Sequence, residues 1–284
     1  MGFIEAIILG LIQGLTEFLP ISSSGHLRIV PELFGWSDPG ASFTAVIQLG
    51  TMAAVVIFFW KDLWRITRAW CQDAWRVAKA LVRRQGLAGE RSSDDARMGW
   101  YLIVATIPIG IFGLAFKDQI ETGARDLRLI ATTLIVGGLV LLWADKAGKR
   151  TKGIEHISTR DGVTIGLAQS LALIPGVSRS GSTITAGMFL GFTRDAAARF
   201  SFLLSIPAVV LSGLFSLRDV GGGDGLPVGP TIVATLVSFA VGYAAIAWLL
   251  RYLTSHTLMV FVVYRVALGL LLFGLLAGNA IDAR

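Results

Sequence analysis

Charge is scarce in this chain. Only 15% of its 284 residues are Asp, Glu, Lys or Arg, against roughly a quarter in soluble domains. Cysteine is nearly absent. The single Cys71 excludes an intrachain disulfide and a thiolate metal cluster. The three histidines stand at no spacing to a carboxylate that suits zinc. No glycine-rich segment ends in Gly-Lys-Ser/Thr. The net charge of +6 comes without any RNA- or DNA-binding motif, so nucleic acid is not an expected partner. Apolar residues, in contrast, make up 54%, and mean hydropathy is +0.68. Several apolar runs reach the about 20 residues a helix needs to cross a bilayer. In a soluble fold they would expose large apolar patches. The chain is therefore expected to be an all-α integral membrane protein, a single membrane domain over residues 1–284. Its opening, Met1-Gly2-Phe3-Ile4-Glu5, has no basic leader and reads as a retained first helix.

Six runs are predicted as full spans: about 43–60, 101–117, 128–144, 198–217, 231–250 and 258–277. Two further runs are interrupted. The first, about 3–30, is broken by Pro20-Ile21-Ser22-Ser23-Ser24-Gly25-His26; the second, about 162–192, by Pro175-Gly176-Val177-Ser178-Arg179-Ser180-Gly181-Ser182. Proline and glycine in mid-run cost a helix its backbone hydrogen bonds. In a bilayer such breaks survive only inside protein or beside a watery cavity. Both runs are thus predicted as re-entrant helix-loop-helix segments. The two halves also echo each other. Gly10-Leu11-Ile12-Gln13 parallels Gly166-Leu167-Ala168-Gln169, and Ile103-Val104-Ala105-Thr106 parallels Ile232-Val233-Ala234-Thr235. Repeat one covers about 1–145 and repeat two about 160–278. Each holds one re-entrant segment and three spans. An odd number of spans makes the repeats inverted in the membrane, an arrangement that builds sites at mid-depth.

Loop charge orients this topology. With the 61–99 connection in the cytoplasm, seventeen of the 25 bases lie inside and six outside, as the positive-inside rule expects. The mouth of the first re-entrant segment then faces outward. Residues 60–84 are amphipathic, with Trp60, Trp64, Trp70, Val77, Ala78 and Leu81 among bases. They read either as a helix on the cytoplasmic surface or as an extension of the preceding span. Residues 85–97 and 221–225 read as loops. Nothing in the sequence specifies an oligomeric state.

Ionisable groups inside a bilayer are functional candidates by default. Glu17 and His26 flank the first break, and Arg179 sits in the second. Around them stand Ser22, Ser23, Ser24, Gly25, Ser178, Ser180, Gly181, Ser182 and Thr183, with Gln13 one turn before Glu17. Arg matches phosphate oxygens with a planar fork that keeps its charge. Glycine-flanked loops and the helix N-termini that follow them can cradle an anion. His26 can relay a proton or attack phosphorus; a neighbouring serine can be the nucleophile instead. Glu17 can orient the imidazole, take a proton or hold a divalent cation. Plainer readings stand beside these. Glu17 and Arg179 can simply neutralise each other, the serines can be helix caps, and His26 can be packing. Arg265 can snorkel, pair with an acid or take part in catalysis. A lipid flippase or transporter is the rival function, because broken helices in inverted repeats also serve transport.

The run Gln13-Gly14-Leu15-Thr16-Glu17-Phe18-Leu19-Pro20-Ile21-Ser22-Ser23-Ser24-Gly25-His26 closely resembles the first signature of the bacterial undecaprenyl-diphosphate phosphatases, the bacitracin-resistance family. Pro175-Gly176-Val177-Ser178-Arg179-Ser180-Gly181-Ser182-Thr183 resembles the second. The resemblance covers essentially the whole chain. It implies an inner-membrane enzyme, its active site open to the periplasmic or outer face. Such an enzyme converts undecaprenyl diphosphate to the monophosphate, recycling the carrier for peptidoglycan and conferring tolerance to bacitracin. It maps the essential acid to Glu17, the histidine to His26, the arginine to Arg179 and the discussed serine to Ser23. It implies help from Mg²⁺ or Ca²⁺. Gln13 stands where many members carry Glu, which removes one acid from any shared metal role.

Overall fold

A computed structural model describes residues 1–83, 92–116, 126–220 and 226–283. Among them the chain is helical, with no β-strand. Six helices are long and apolar enough to cross a membrane: α3 (Gly40–Phe58), α5 (Asp94–Ala115), α6 (Leu127–Ala147), α9 (Arg194–Ser216), α10 (Val228–Leu253) and α11 (Met259–Ala277). All six expected spans are present. Several extend past their apolar runs because polar residues finish them. In α5, Ser93 accepts from the Ala96 N–H and Asp94 and Asp95 occupy the first turn. A side-chain cap and acids at the positive end of the helix dipole favour starting the helix there.

The two interrupted runs become pairs of shorter helices: α1 (Phe3–Phe18) with α2 (Ser23–Phe34), and α7 (Thr159–Ser170) with α8 (Arg179–Phe189). Both breaks are shorter than the sequence suggested. Helix resumes at Ser23 and at Arg179, so most of each serine-rich motif lies in a first helical turn. The reason is local. Ser22 (φ 75°) and Ser178 (φ 73°) turn the chain in the left-handed region. Their hydroxyls accept from the N–H of Gly25 and Gly181, at 3.3 and 3.0 Å. Each serine thus caps the helix that follows it.

Glycine sets how closely the helices approach. A Cβ on Gly10 would lie 2.5 Å from the Ala234 carbonyl oxygen, and one on Gly166 would lie 2.4 Å from that of Ala105. Each contact joins one half's Gly-Leu-x-Gln motif to the other half's Ile-Val-Ala-Thr motif. Membrane helices, which gain little from burying apolar surface against lipid, rely on such small-residue contacts. Between these pairs α3, α9 and α10 enclose a core that includes Phe18, Phe59 and Phe202.

The amphipathic segment forms α4 (Trp60–Val82) after a one-residue break at Phe59. It packs across the opening turns of α5 instead of continuing α3. Asp73, 5% exposed, holds the two together. It accepts from Trp100 Nε1 at 3.0 Å and Ser92 Oγ at 2.9 Å, and pairs with Arg76. Burial alone would push the Asp73 carboxyl up; these bonds outweigh it and hold the group below the usual aspartate range. The expected single apolar face of this segment divides in two. Trp70 turns inward, its Cβ against Gly99, while Trp64 and Trp75 stay exposed. Residues 84–91 and 221–225, which hold most of one expected loop and all of the other, lie outside the described residues.

Gly10→Leu and Gly166→Leu should each cost about 1–3 kcal/mol through overpacking against backbone that cannot yield. Thermal unfolding in detergent should record this as a midpoint lowered by several degrees. Gly110→Ala, where nothing lies within 4 Å of an added Cβ, should leave the midpoint unchanged or raise it.

Candidate active site

The ends of α1, α2 and α8 bring four of the expected residues into direct contact. Glu17, in the last turn of α1, is almost sealed, with 2% of its side chain exposed. Its Oε2 accepts from Ser23 Oγ at 2.7 Å and from Gln13 Nε2 at 2.8 Å. Its Oε1 accepts from Arg179 Nη2. One carboxylate therefore joins both broken segments, which lie 162 residues apart. Gln13 reaches it because four residues make one helical turn. Arg179 reaches it because Ser178 starts α8 at that point. Arg179, Ser23, Ser24 and Ser182 remain partly exposed, and these are the atoms an incoming ligand would meet.

His26 is buried and held at both ring nitrogens. Nδ1 bonds the Ser22 carbonyl at 2.7 Å and Nε2 bonds the Tyr264 hydroxyl at 2.6 Å. A carbonyl can only accept, so Nδ1 carries a proton; in the neutral imidazole the Tyr264 hydroxyl then donates to Nε2. The two rings are stacked, 5.5 Å apart and 8° from parallel. Tyr264 escaped the sequence reading. It sits in an unbroken span, and only the fold carries it to His26 across 238 residues.

Arg265 has the opposite history. It is 1% exposed, so it does not snorkel, and its bonds do not go to an acid. It donates to carbonyl oxygens instead: Nε to Leu134, Nη1 to Pro20, and Nη2 to Thr133, Gly176 and Val177, at 3.0–3.2 Å. Pro20 belongs to the first break, and Gly176 and Val177 to the second. A broken helix leaves carbonyls without N–H partners, and Arg265 supplies donors to both breaks at once. Further bonds lock the loops together. Ser180 donates to the Leu19 carbonyl at 3.1 Å, and Thr133 to that of Pro175 at 2.8 Å.

The remaining candidates are engaged locally. Ser22 and Ser178 serve as caps, and each contacts a neighbouring hydroxyl, Ser24 at 3.3 Å and Ser180 at 3.2 Å. The N–H groups of Gly25 and Gly181 are used by those caps. Both glycines also permit close approach: a Cβ on Gly181 would lie 2.8 Å from Arg265 Nη1. Thr183 is 1% exposed and bonds Ser201 at 2.6 Å, so it faces α9. Ser182 donates to the Arg179 carbonyl.

These residues do not fit a resident divalent cation. Mg²⁺ and Ca²⁺ need several oxygen ligands. The site offers one carboxylate, already shared by three donors, and Gln13 Oε1, a buried oxygen without a hydrogen-bond partner. No cluster of three His, Cys, Asp or Glu side chains suited to a metal exists among the described residues. A separate cavity of about 330 Å³ lies where α4, α5 and α9 meet, lined by Asp62, Arg65, Asp95, Glu155, Asp195 and Arg199 among others. It contains none of the candidate site residues.

A family model described as bacitracin resistance protein BacA matches residues 6–271. An undecaprenyl-diphosphatase of a Nocardioides species is 58% identical over 284 residues, covering all of both chains. One from Thermobifida fusca is 53% identical over 277 residues, covering 98% of this chain and 91% of that one. One from Mycolicibacterium smegmatis is 52% identical over 288 residues, covering all of both.

Arg265→Met should leave several buried carbonyls unsatisfied, at about 1–3 kcal/mol each. The expected result is a collapse of the folded yield or a large fall in thermal midpoint. Arg265→Lys, with one ammonium in place of the fork, should fall between. A midpoint within about 1 °C of the parent for Arg265→Met, small against the several degrees a single kcal/mol moves, would remove the bracing role.

Proposed function

This chain belongs to the bacitracin resistance protein BacA family, and from that premise we propose that it hydrolyses undecaprenyl diphosphate to undecaprenyl phosphate and inorganic phosphate in the bacterial inner membrane. The product returns the lipid carrier to peptidoglycan synthesis, and removal of the diphosphate counters bacitracin. In this reading both broken segments are re-entrant and dip in from opposite sides, as inverted repeats would place them. The diphosphate enters from the periplasmic face, and the prenyl tail stays among the spans.

The contact of Ser23, Glu17 and Arg179 carries the proposal. Without substrate, Arg179 neutralises Glu17 and makes burial of both charges tolerable. A diphosphate competes for the guanidinium, which matches phosphate oxygens bidentately. As Arg179 turns to the phosphate, the Glu17 carboxylate is left facing the Ser23 hydroxyl 2.7 Å away. Ser23 Oγ then bonds the terminal phosphorus, its proton passes to Glu17, and the bond from that phosphorus to the bridging oxygen breaks. Undecaprenyl phosphate leaves. Water attacks the phosphoserine, the P–Oγ bond breaks, Glu17 returns its proton to Ser23 Oγ, and phosphate leaves with the protons of the water. His26 is the less suitable nucleophile, since both its nitrogens are engaged by Ser22 and Tyr264. It acts on protons from a fixed tautomer. The N-termini of α2 and α8 add partial positive charge beside the phosphates.

A divalent cation, Mg²⁺ or Ca²⁺, would arrive with the diphosphate instead of residing in the protein, and would supply neutralisation of phosphate charge.

Phosphate release from farnesyl or undecaprenyl diphosphate in detergent tests the site. Arg179→Ala, His26→Ala and Ser23→Ala should each lower turnover by about 10²-fold or more. Near-full turnover in the first two would refute the site, and near-full turnover in Ser23→Ala would refute Ser23 as the nucleophile. Gln13→Glu places a second carboxylate beside Glu17 and should make turnover more responsive to added Mg²⁺ or Ca²⁺ than in the parent, measured against a chelator blank.

A further inference from the structure

Helix α4 presents three faces, and their order around the helix is informative. One face packs on α5 through Ile66, Trp70 and Asp73. The next carries Trp60, Trp64, Cys71, Trp75 and Val82 at steps of four, seven, four and seven residues, which keeps them in one row. All five are exposed, Trp75 by 73% and Val82 by 85%. Beyond that row, one position on, lie Lys61, Arg68, Lys79 and Arg83, again in a single row and all exposed. The two acids of α4, Asp62 and Asp73, are turned to other bonds: Asp62 to Arg65 and Arg199, Asp73 to the α5 contact.

The apolar row therefore borders the row of bases, and both lie well round the helix from the face that packs on α5. A helix that only met water would not expose three tryptophans in a row. The helix starts one residue after span α3 ends and crosses the first turns of span α5, so it stands at the membrane boundary. Tryptophan favours that boundary, and a row of bases beside it matches anionic headgroups.

We propose that α4 is an interfacial helix that seats its tryptophan row in the adjacent leaflet and binds anionic phospholipid headgroups through Lys61, Arg68, Lys79 and Arg83. Asp73 holds the helix at the angle this requires, independently of the catalytic site.

Cys71, the one cysteine, lies in the apolar row and provides the probe. The full chain, carrying a nitroxide on Cys71, is reconstituted into vesicles of phosphatidylcholine alone or of phosphatidylcholine with phosphatidylglycerol. Accessibility to oxygen, which concentrates in lipid, is compared with accessibility to a water-soluble nickel chelate. The nitroxide should be lipid-exposed, and deeper with phosphatidylglycerol. Reversal of the four bases to Glu should abolish that difference, since each base near an anionic surface is worth roughly fivefold in partition. Trp75→Ser should make the label shallower in both lipids. A label equally open to the chelate in both vesicles overturns the proposal. So does a depth indifferent to the four reversals, or efficient Cys71–Cys71 cross-linking between two copies, which would make this row a dimer contact.

Discussion

A backbone broken and buried between two helices has to find its hydrogen bonds within the protein, and here a buried guanidinium supplies them. Arg265 donates to carbonyls of both breaks and of α6. Its five N–H groups form a rigid planar array, and five oxygens surround it. The positive charge is solvated by carbonyl dipoles where water would otherwise be required. The two breaks thereby become one unit, since neither can move without opening bonds to the same side chain. Ser180 and Thr133 reinforce the junction with a hydroxyl each.

On that junction the chemistry is mounted. Glu17 and Arg179 come from different halves and meet only because the breaks meet. Each would be costly to bury alone; together, with Ser23 and Gln13 as further donors to the carboxylate, they are tolerated. In this pairing the guanidinium, the group best suited to a phosphate, neutralises the carboxylate. His26 is fixed separately, by Ser22 behind and Tyr264 in front. Consecutive residues of α11 thus divide the work: Arg265 holds the loops, and Tyr264 holds the imidazole.

The repeated motifs acquire a physical meaning in the fold. Gly10 meets Ala234 and Gly166 meets Ala105, so each half's small residue is the other half's docking point. Ser22 and Ser178 adopt nearly the same left-handed φ and the same cap. Only the chemistry differs between them. One cap starts a helix with Ser23, and the other starts a helix with Arg179.

Much of this was readable in the chain itself. Length and continuity of apolar runs determine which segments can span, because hydrocarbon thickness is constant, and all six spans follow from that. Proline, glycine and serine in mid-run mark the breaks, because a helix cannot keep its hydrogen bonds through them. Ionisable residues in those breaks single out Glu17, His26 and Arg179, because charge in lipid persists only where something uses or pairs it. The signature resemblance pointed to the family. What the chain could not reveal depends on contacts between distant residues. Tyr264 and Arg265 lie in an ordinary apolar span, and neither periodicity nor composition tells which carbonyl or imidazole they will face. The two apolar faces of α4 likewise differ in whether α5 covers them. Local pattern reports what a segment can do alone; partners across 100 or more residues are chosen by packing, and packing is a property of the folded whole.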